Sequence, residues 1–362
     1  MGRFCRLLLF LLLPLSLVLA QDSPSPQLEP RPVGPTVPVP ASPDKEITLE
    51  VQVTEKSGAP IRGLQKQDFT ILDDKQPQSI VSFHAVDNGA GSTADPVQVV
   101  LVIDAVNASF QAVTYERNEV KKFLLQNGGK LALPTSFIVF SDAGTKVQNH
   151  STRDGNALAA LFDQSETGLR SINRSQGYYG AVERFGMSLK ALTSLVAYEA
   201  TQPGRKLMIW FSPGWPLLSG PNIQHSHQDY DNFFNSIVDA STSLRQAHIT
   251  LYSIDPLGLA NAGGVRISYY KEFLKGVPSA KKAEAGNLGL QVLVVQSGGR
   301  VFNSSNDLTG EISNCVVDAD AFYVLSFNAD RADQPNEYHS VAVTVDKPGA
   351  SARTRTGYYA QP

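Results

Sequence analysis

Apolar residues alternate with polar ones at Ile47, Leu49, Val51 and Val53, a period of two that predicts a strand with one buried face. Short strands are also expected at 69–72 and 79–83, on either side of Asp73-Asp74-Lys75, and Lys56-Ser57-Gly58-Ala59-Pro60 carries turn chemistry. The pattern then changes. Residues 97–103 form an almost continuous apolar run that ends in Asp104, as expected of a parallel strand buried on both faces. Similar runs occur at 136–140, 207–211, 249–254 and 301–302. Between them, apolar residues recur at helical spacing: Val113, Val120 and Leu124; Leu158, Leu161 and Phe162; Val182, Phe185, Leu189, Leu192 and Val196; Tyr230, Phe233, Phe234, Ile237 and Leu244; and the stretch 288–295. Strands alternating with helices predict an α/β fold, a doubly wound and mostly parallel sheet with helices on both faces. From residue 321 the strand pattern returns at 322–327, 339–345 and 353–359, with a turn at Pro348-Gly349. Neither β flank has enough strands to stand alone. Residues 45–88 and 319–362 are therefore expected to pair into one composite β-sandwich, with the α/β domain, 96–318, inserted between them.

The ends of the chain change this picture. Arg3 and Arg6 precede an apolar run from Leu7 to Leu19, followed by Val18-Leu19-Ala20 and Gln21. That is the arrangement of a cleavable export signal over residues 1–20, and it is too short for a spanning helix. The expected location is periplasmic, cell-surface or secreted. No later segment is apolar for long enough to span a membrane. Loss of the signal removes Cys5 and leaves Cys315 as the lone thiol, so an internal disulfide is excluded. Prolines crowd residues 21–44, at 24, 26, 30, 32, 35, 38, 40 and 43, which predicts an extended, polyproline-like linker. The net charge of −3 gives no basic surface for nucleic acid.

Several phrases, in order, resemble the von Willebrand factor A-like proteins, in the "VWFA-related" branch found in acidobacteria. They are Val53-Thr-Glu-Lys-Ser-Gly-Ala-Pro-Ile-Arg-Gly-Leu-Gln-Lys-Gln-Asp-Phe69, Val102-Ile-Asp104 with Asn107, Gly204-Arg-Lys-Leu-Met-Ile-Trp-Phe-Ser-Pro-Gly214, Leu251-Tyr-Ser-Ile-Asp-Pro256, Gly298-Gly-Arg-Val-Phe302 and Gly357-Tyr-Tyr-Ala360. The resemblance runs from about residue 46 to the end. It implies an exported protein with a von Willebrand A/Rossmann-like domain. It also implies a metal-ion-dependent adhesion site at the carboxyl ends of the central strands, where oxygen ligands hold Mg²⁺ or Ca²⁺. The first ligand of an Asp-x-Ser-x-Ser loop matches as Asp104, but the serine positions are Val106 and Ala108. Asn107 and Ser109 lie one residue out of register, Thr167 or Ser175 falls where a threonine is expected, and the fourth-strand turn reads Ser212-Pro213-Gly214 without its aspartate. The implied site is degenerate. A cation held by Asp104, Asn107, Ser109, Thr167 and Ser212 is one reading. The favoured one has Asp104 capping the following turn or hydrogen-bonding Asn107 and Ser212.

Aromatics at Tyr178, Tyr179 and Trp215 fall in expected loops on the same face as Asp104, where they would suit a partner surface or pack a loop down. His225-Ser-His227-Gln-Asp229-Tyr-Asp231 could chelate Zn²⁺ or, more simply, cap a helix near Tyr230. The chain lacks Gly-x-Ser-x-Gly, Gly-x-Gly-x-x-Gly, phosphate-loop and His-Glu-x-x-His motifs, so no enzyme is expected. The expected function is an exported adhesion or scaffold module that binds a protein or surface glycan. The alternatives are an exported metal-dependent hydrolase using residues 225–231 and a structural cell-envelope component.

Overall fold

In the computed structural model, parallel strands buried on both faces form the centre of the larger of two layered units. The structure describes residues 28–30, 45–88, 96–148, 150–164, 177–218, 226–258 and 266–362. The signal and most of the linker lie outside them. In chain order the strands are β1 (Leu28–Pro30), β2 (Glu46–Thr54), β3 (Phe69–Asp73), β4 (Gln76–Gln78), β5 (Ile80–Asp87), β6 (Val97–Asp104), β7 (Lys130–Ser141), β8 (Gly144–Gln148), β9 (Thr152–Asp154), β10 (Arg205–Phe211), β11 (Ile249–Ile254), β12 (Val301–Phe302), β13 (Ala321–Asn328), β14 (Glu337–Val345), β15 (Ser351–Arg353) and β16 (Gly357–Ala360). The helices are α1 (Phe110–Leu124), α2 (Gly155–Gln164), α3 (Tyr178–Glu199), α4 (His227–Gln246), α5 (Arg266–Tyr269), α6 (Leu290–Gln296) and α7 (Leu308–Val316).

The large sheet has the order β1-β8-β7-β6-β10-β11-β12, parallel from β7 to β12. Its two faces follow from residue parity. Val99, Leu101, Ile103, Leu207, Ile209 and Phe211 point to one side, where they pack with residues of α1, α2 and α7. Val100, Val102, Met208 and Trp210 point to the other, among residues of α3, α4 and α6. This is the expected doubly wound fold.

The flanking β segments pair as expected. One sheet runs β15-β2-β13-β5 and the other β16-β14-β3-β4, so each mixes strands from both ends of the chain. The expected strand at 353–359 is two strands, because the chain crosses at 354–356 from the β2 sheet to the β14 sheet. Leu28–Pro30, inside the expected linker, pairs antiparallel with Gln148–Lys146 at the edge of the large sheet. An edge position suits this segment, since Pro30 sits at the strand end and needs to donate nothing outward.

The sandwich docks on the amino ends of the parallel strands. The Arg205 guanidinium, at the start of β10, lies 4.4 Å over the Phe322 ring and donates to the Asp318 carbonyl at 3.1 Å. His248, just before β11, meets Glu50 of β2 at 2.7 Å. The carboxyl ends of the strands point away from this seam. No helix among the described residues is long and apolar enough to cross a membrane.

Candidate functional site at the carboxyl end of the sheet

Asp104 is the last residue of β6, and its parity sends the side chain to the α3 face, alongside Val102 and Trp210. The carboxylate is fully buried. Its Oδ1 accepts from the Val106 and Asn107 amides, both at 2.9 Å. Its Oδ2 accepts from the Asn107 side-chain amide at 2.9 Å and the Trp210 indole N–H at 3.0 Å. The same Asn107 amide group donates to Ser188 Oγ at 2.9 Å, which ties the turn after β6 to α3. Burial raises the Asp104 carboxyl above the usual range, against hydrogen bonds from Asn107, Trp210 and Ser212 that pull it down. Glu116 of α1 is also buried, with neither oxygen hydrogen-bonded among the described residues. Burial, then the Asp104 charge, push the Glu116 carboxyl well above its ordinary range.

The structure thus brings Asp104, Asn107 and Ser212 together. Ser109 is turned elsewhere, accepting the Ala112 amide at 3.2 Å as the cap of α1. Thr167 and Ser175 lie outside the described residues. A hard cation needs open oxygen lone pairs. Both Asp104 oxygens already accept two N–H donors, and the serine positions hold the apolar Val106 and Ala108. This donor set does not fit Mg²⁺ or Ca²⁺. It fits the reading in which Asp104 organises the following turn. Sequence reasoning missed Trp210 as the fourth donor, because a tryptophan in an apolar run reads as core. The register was the available signal, since Trp210 pairs with Val102, two residues before Asp104 on the same face.

The aromatics divide. Tyr178 and Tyr179, expected in a loop, form the first turn of α3, which Gly177 introduces with φ +84°. Tyr179 is 80% exposed and Tyr178 48%. Phe110, the first residue of α1 and not singled out from the sequence, is 63% exposed. Trp215, by contrast, is only 4% exposed and packs edge-on against Trp210 at 5.3 Å. It supports the floor of the site and offers no ring to a partner. Its indole N–H is buried with no hydrogen-bond partner among the described residues. Trp215→Phe is therefore expected to cost only about 1 kcal/mol, because lost packing is offset by removal of an unsatisfied donor. Urea unfolding of the full chain checks this, and a loss several times larger would mean that the N–H is satisfied in solution.

His225 lies outside the described residues, and His227 is the exposed first residue of α4. Asp229 closes a capping box, accepting from the Ser226 amide and hydroxyl at 2.8 Å while Ser226 Oγ accepts the Asp229 amide at 3.2 Å. That commits the carboxylate to the helix start and leaves it poorly placed for zinc. The N-cap is Ser226, with Asp229 at the third helical position, and the helix begins three residues earlier than the Tyr230 start expected from the sequence.

No protein-family model matches the chain, and no curated protein matches it. Among solved structures it is similar to the pilus adhesin SpaC from Lactobacillus rhamnosus GG, at 11% identity over 83% of this chain and 49% of that one, TM-score 0.35. It is also similar to the PilB minor pilin from Streptococcus sanguinis, at 12% identity over 62% of each chain, TM-score 0.35. A third is the Rpn10 VWA domain, at 11% identity over 61% of this chain and 94% of that one, TM-score 0.28. The chain spans 46% of the human COPII-coat protein Sec24c that it also resembles, at 10% identity and TM-score 0.31.

Proposed function

We propose that the chain is an exported interaction module of the adhesion or scaffold type, of the von Willebrand A-like kind, which docks a protein or surface glycan at the carboxyl end of its parallel sheet without a bound cation. The observation that carries this is the pair of exposed aromatic steps, Phe110 opening α1 and Tyr178-Tyr179 opening α3, on the end of the sheet that the sandwich does not cover. Exposed aromatics are costly in water and supply much of the binding energy at interfaces. The hydrogen-bonded Asp104–Asn107–Ser188 link holds the two helices that carry them in fixed relation. In this reading Asp104 is a positioning residue and touches no partner.

Photo-crosslinking tests the proposal. With p-benzoylphenylalanine at Tyr179 in the full chain, expressed in its native host, a discrete adduct is expected. The adduct should disappear when Phe110→Ser is added, and the same probe at exposed Lys281 should give none. Adducts at Lys281 but not at Tyr179 would place the docking face elsewhere. A glycan array on the same proteins separates a saccharide partner from a protein one.

A further inference from the structure

A second cluster of polar side chains lies in the β-sandwich, away from Asp104. It joins residues separated by most of the chain. Asp73 ends β3, His339 lies on β14 and Tyr358 on β16, and all three are buried. The strand register explains their meeting. His339 is directly opposite Tyr358, and Asp73 is opposite Val341, one inward-facing position along β14 from His339. The three side chains therefore form a row across adjacent strands on one face. Asp74 joins them through the β3–β4 turn, where Asp74 (φ +45°) and Lys75 (φ +69°) take the left-handed backbone of a two-residue hairpin.

Each carboxylate has one oxygen fixed and one directed inward. Asp73 Oδ2 accepts the Tyr358 hydroxyl at 2.7 Å. Asp74 Oδ1 accepts the Ser340 amide and hydroxyl, both at 2.8 Å. The remaining oxygens face one atom: His339 Nδ1 is 3.2 Å from Asp73 Oδ1 and 3.7 Å from Asp74 Oδ2. All three ligand atoms lie within 4.8 Å of one another. Ligands about 2.0–2.2 Å from a tetrahedral zinc are about 3.3–3.6 Å apart, and the two separations to Nδ1, 3.2 and 3.7 Å, lie just below and just above that range. The cluster is also electrostatically incomplete. A single Nδ1–H cannot satisfy two carboxylate oxygens, and the other ring nitrogen of this buried imidazole has no hydrogen-bond partner among the described residues.

We propose that Asp73, Asp74 and His339 bind one Zn²⁺, with the fourth position open to water on the exposed Asp74 side. Tyr358 and Ser340 are the outer groups that aim the carboxylates, as hydrogen-bonded partners do at zinc centres. One imidazole with two carboxylates suits Zn²⁺ better than Mg²⁺ or Ca²⁺, which prefer all-oxygen shells. The ion would staple the β3–β4 hairpin to the C-terminal strands and so join the two ends of the chain.

The test is calorimetric titration of ZnCl₂ into untagged, EDTA-stripped full chain, with Co²⁺ absorption as a geometric readout. We expect one zinc per chain, a tetrahedral Co²⁺ spectrum and a higher melting temperature with metal. Asp74→Asn is the decisive variant. Asparagine tolerates the left-handed turn, and its carbonyl keeps both Ser340 hydrogen bonds while its amide replaces the inward oxygen. It should bind at least ~100-fold more weakly while keeping the metal-free melting temperature. His339→Gln should behave similarly, whereas Asp104→Asn and His227→Ala should bind as the parent does. No zinc heat in the parent, or unchanged binding in Asp74→Asn, overturns the proposal. Loss of binding only in His227→Ala would overturn it in favour of the 225–231 segment.

Discussion

Asp318→Ala should lower the unfolding free energy of the full chain by about 3 kcal/mol, the low end of the cost of removing one partner from a buried ion pair. Asp318 is buried where the α/β unit meets the sandwich. Its Oδ2 accepts the Tyr252 hydroxyl of β11 at 2.6 Å and Arg353 Nη2 of β15 at 2.5 Å, while Arg300 lies 3.4 Å from Oδ1. Arg353 also donates to the Gly298 carbonyl. One carboxylate therefore joins three segments that are distant in sequence. Truncation leaves the tyrosine hydroxyl without its acceptor and removes the carboxylate partner of both arginines, which keep only the Gly298 and Asn314 carbonyls. The low end applies because the two arginine side chains are 27% and 34% exposed, so water recovers part of their solvation. Asp318→Asn keeps an acceptor for Tyr252 and should cost about half as much. The measurement is urea unfolding followed by both far-UV circular dichroism and tryptophan fluorescence. Both tryptophans are in the α/β unit, so a weakened seam should also separate the two transitions. A single unshifted transition in Asp318→Ala would mean that the seam rests on its apolar contacts.

The parts of this fold that could be read from the sequence are those that periodicity encodes. The run from Val97 to Ile103 has no polar break on either parity except Gln98, and such a strand can only be the middle of a covered sheet. The incompleteness of each β flank likewise pointed to their pairing. The break at 354–356 was not legible, because Thr354 and Thr356 suit a strand as well as a crossing between sheets. Leu28–Pro30 escaped because its strand character depends on an unfilled edge at β8, a property of the partner and not of the segment. In the site, the absence of serine at Val106 and Ala108 already weakened the cation reading. The Trp210 donor and the buried Glu116 carboxyl needed the packing of two layers, which no local pattern carries. The zinc cluster was hidden for the same reason. Asp73-Asp74 reads as turn chemistry, and His339 stands 265 positions from Asp74 in a strand of ordinary alternation.

Glu199→Gln should stabilise the chain at alkaline pH and leave it unchanged at acid pH, the reverse of what removal of a paired carboxylate would do. Glu199 is the last residue of α3 and is buried. Burial pushes its carboxyl from the ordinary 4.5 up to about 7, with only a partial opposing pull from Lys206. The Lys206 ammonium is occupied by the Gln202 and Ala247 carbonyls at 2.6 and 3.2 Å. An anion at a helix carboxyl end also faces the negative end of the helix dipole. The sign follows from proton binding. Between pH 4.5 and about 7 the folded chain holds a proton that the unfolded chain has released, so stability falls as pH rises through this window and then levels off. At about 1.4 kcal/mol per pH unit the loss is on the order of 1–3 kcal/mol. Glu311 of α7 adds a second contribution of the same sign, since burial and then Asp307 and Asp255 raise it to about 7. Glutamine has nearly the same shape and no charge to desolvate. In urea unfolding, parent and Glu199→Gln should coincide at pH 4.5 and diverge by pH 8, with the variant the more stable. The Glu199→Gln, Glu311→Gln double variant should flatten the profile further. If the single variant were less stable than the parent at pH 8, Glu199 would be an ionised partner of Lys206 in the folded chain, and the helix end would be held by that pair.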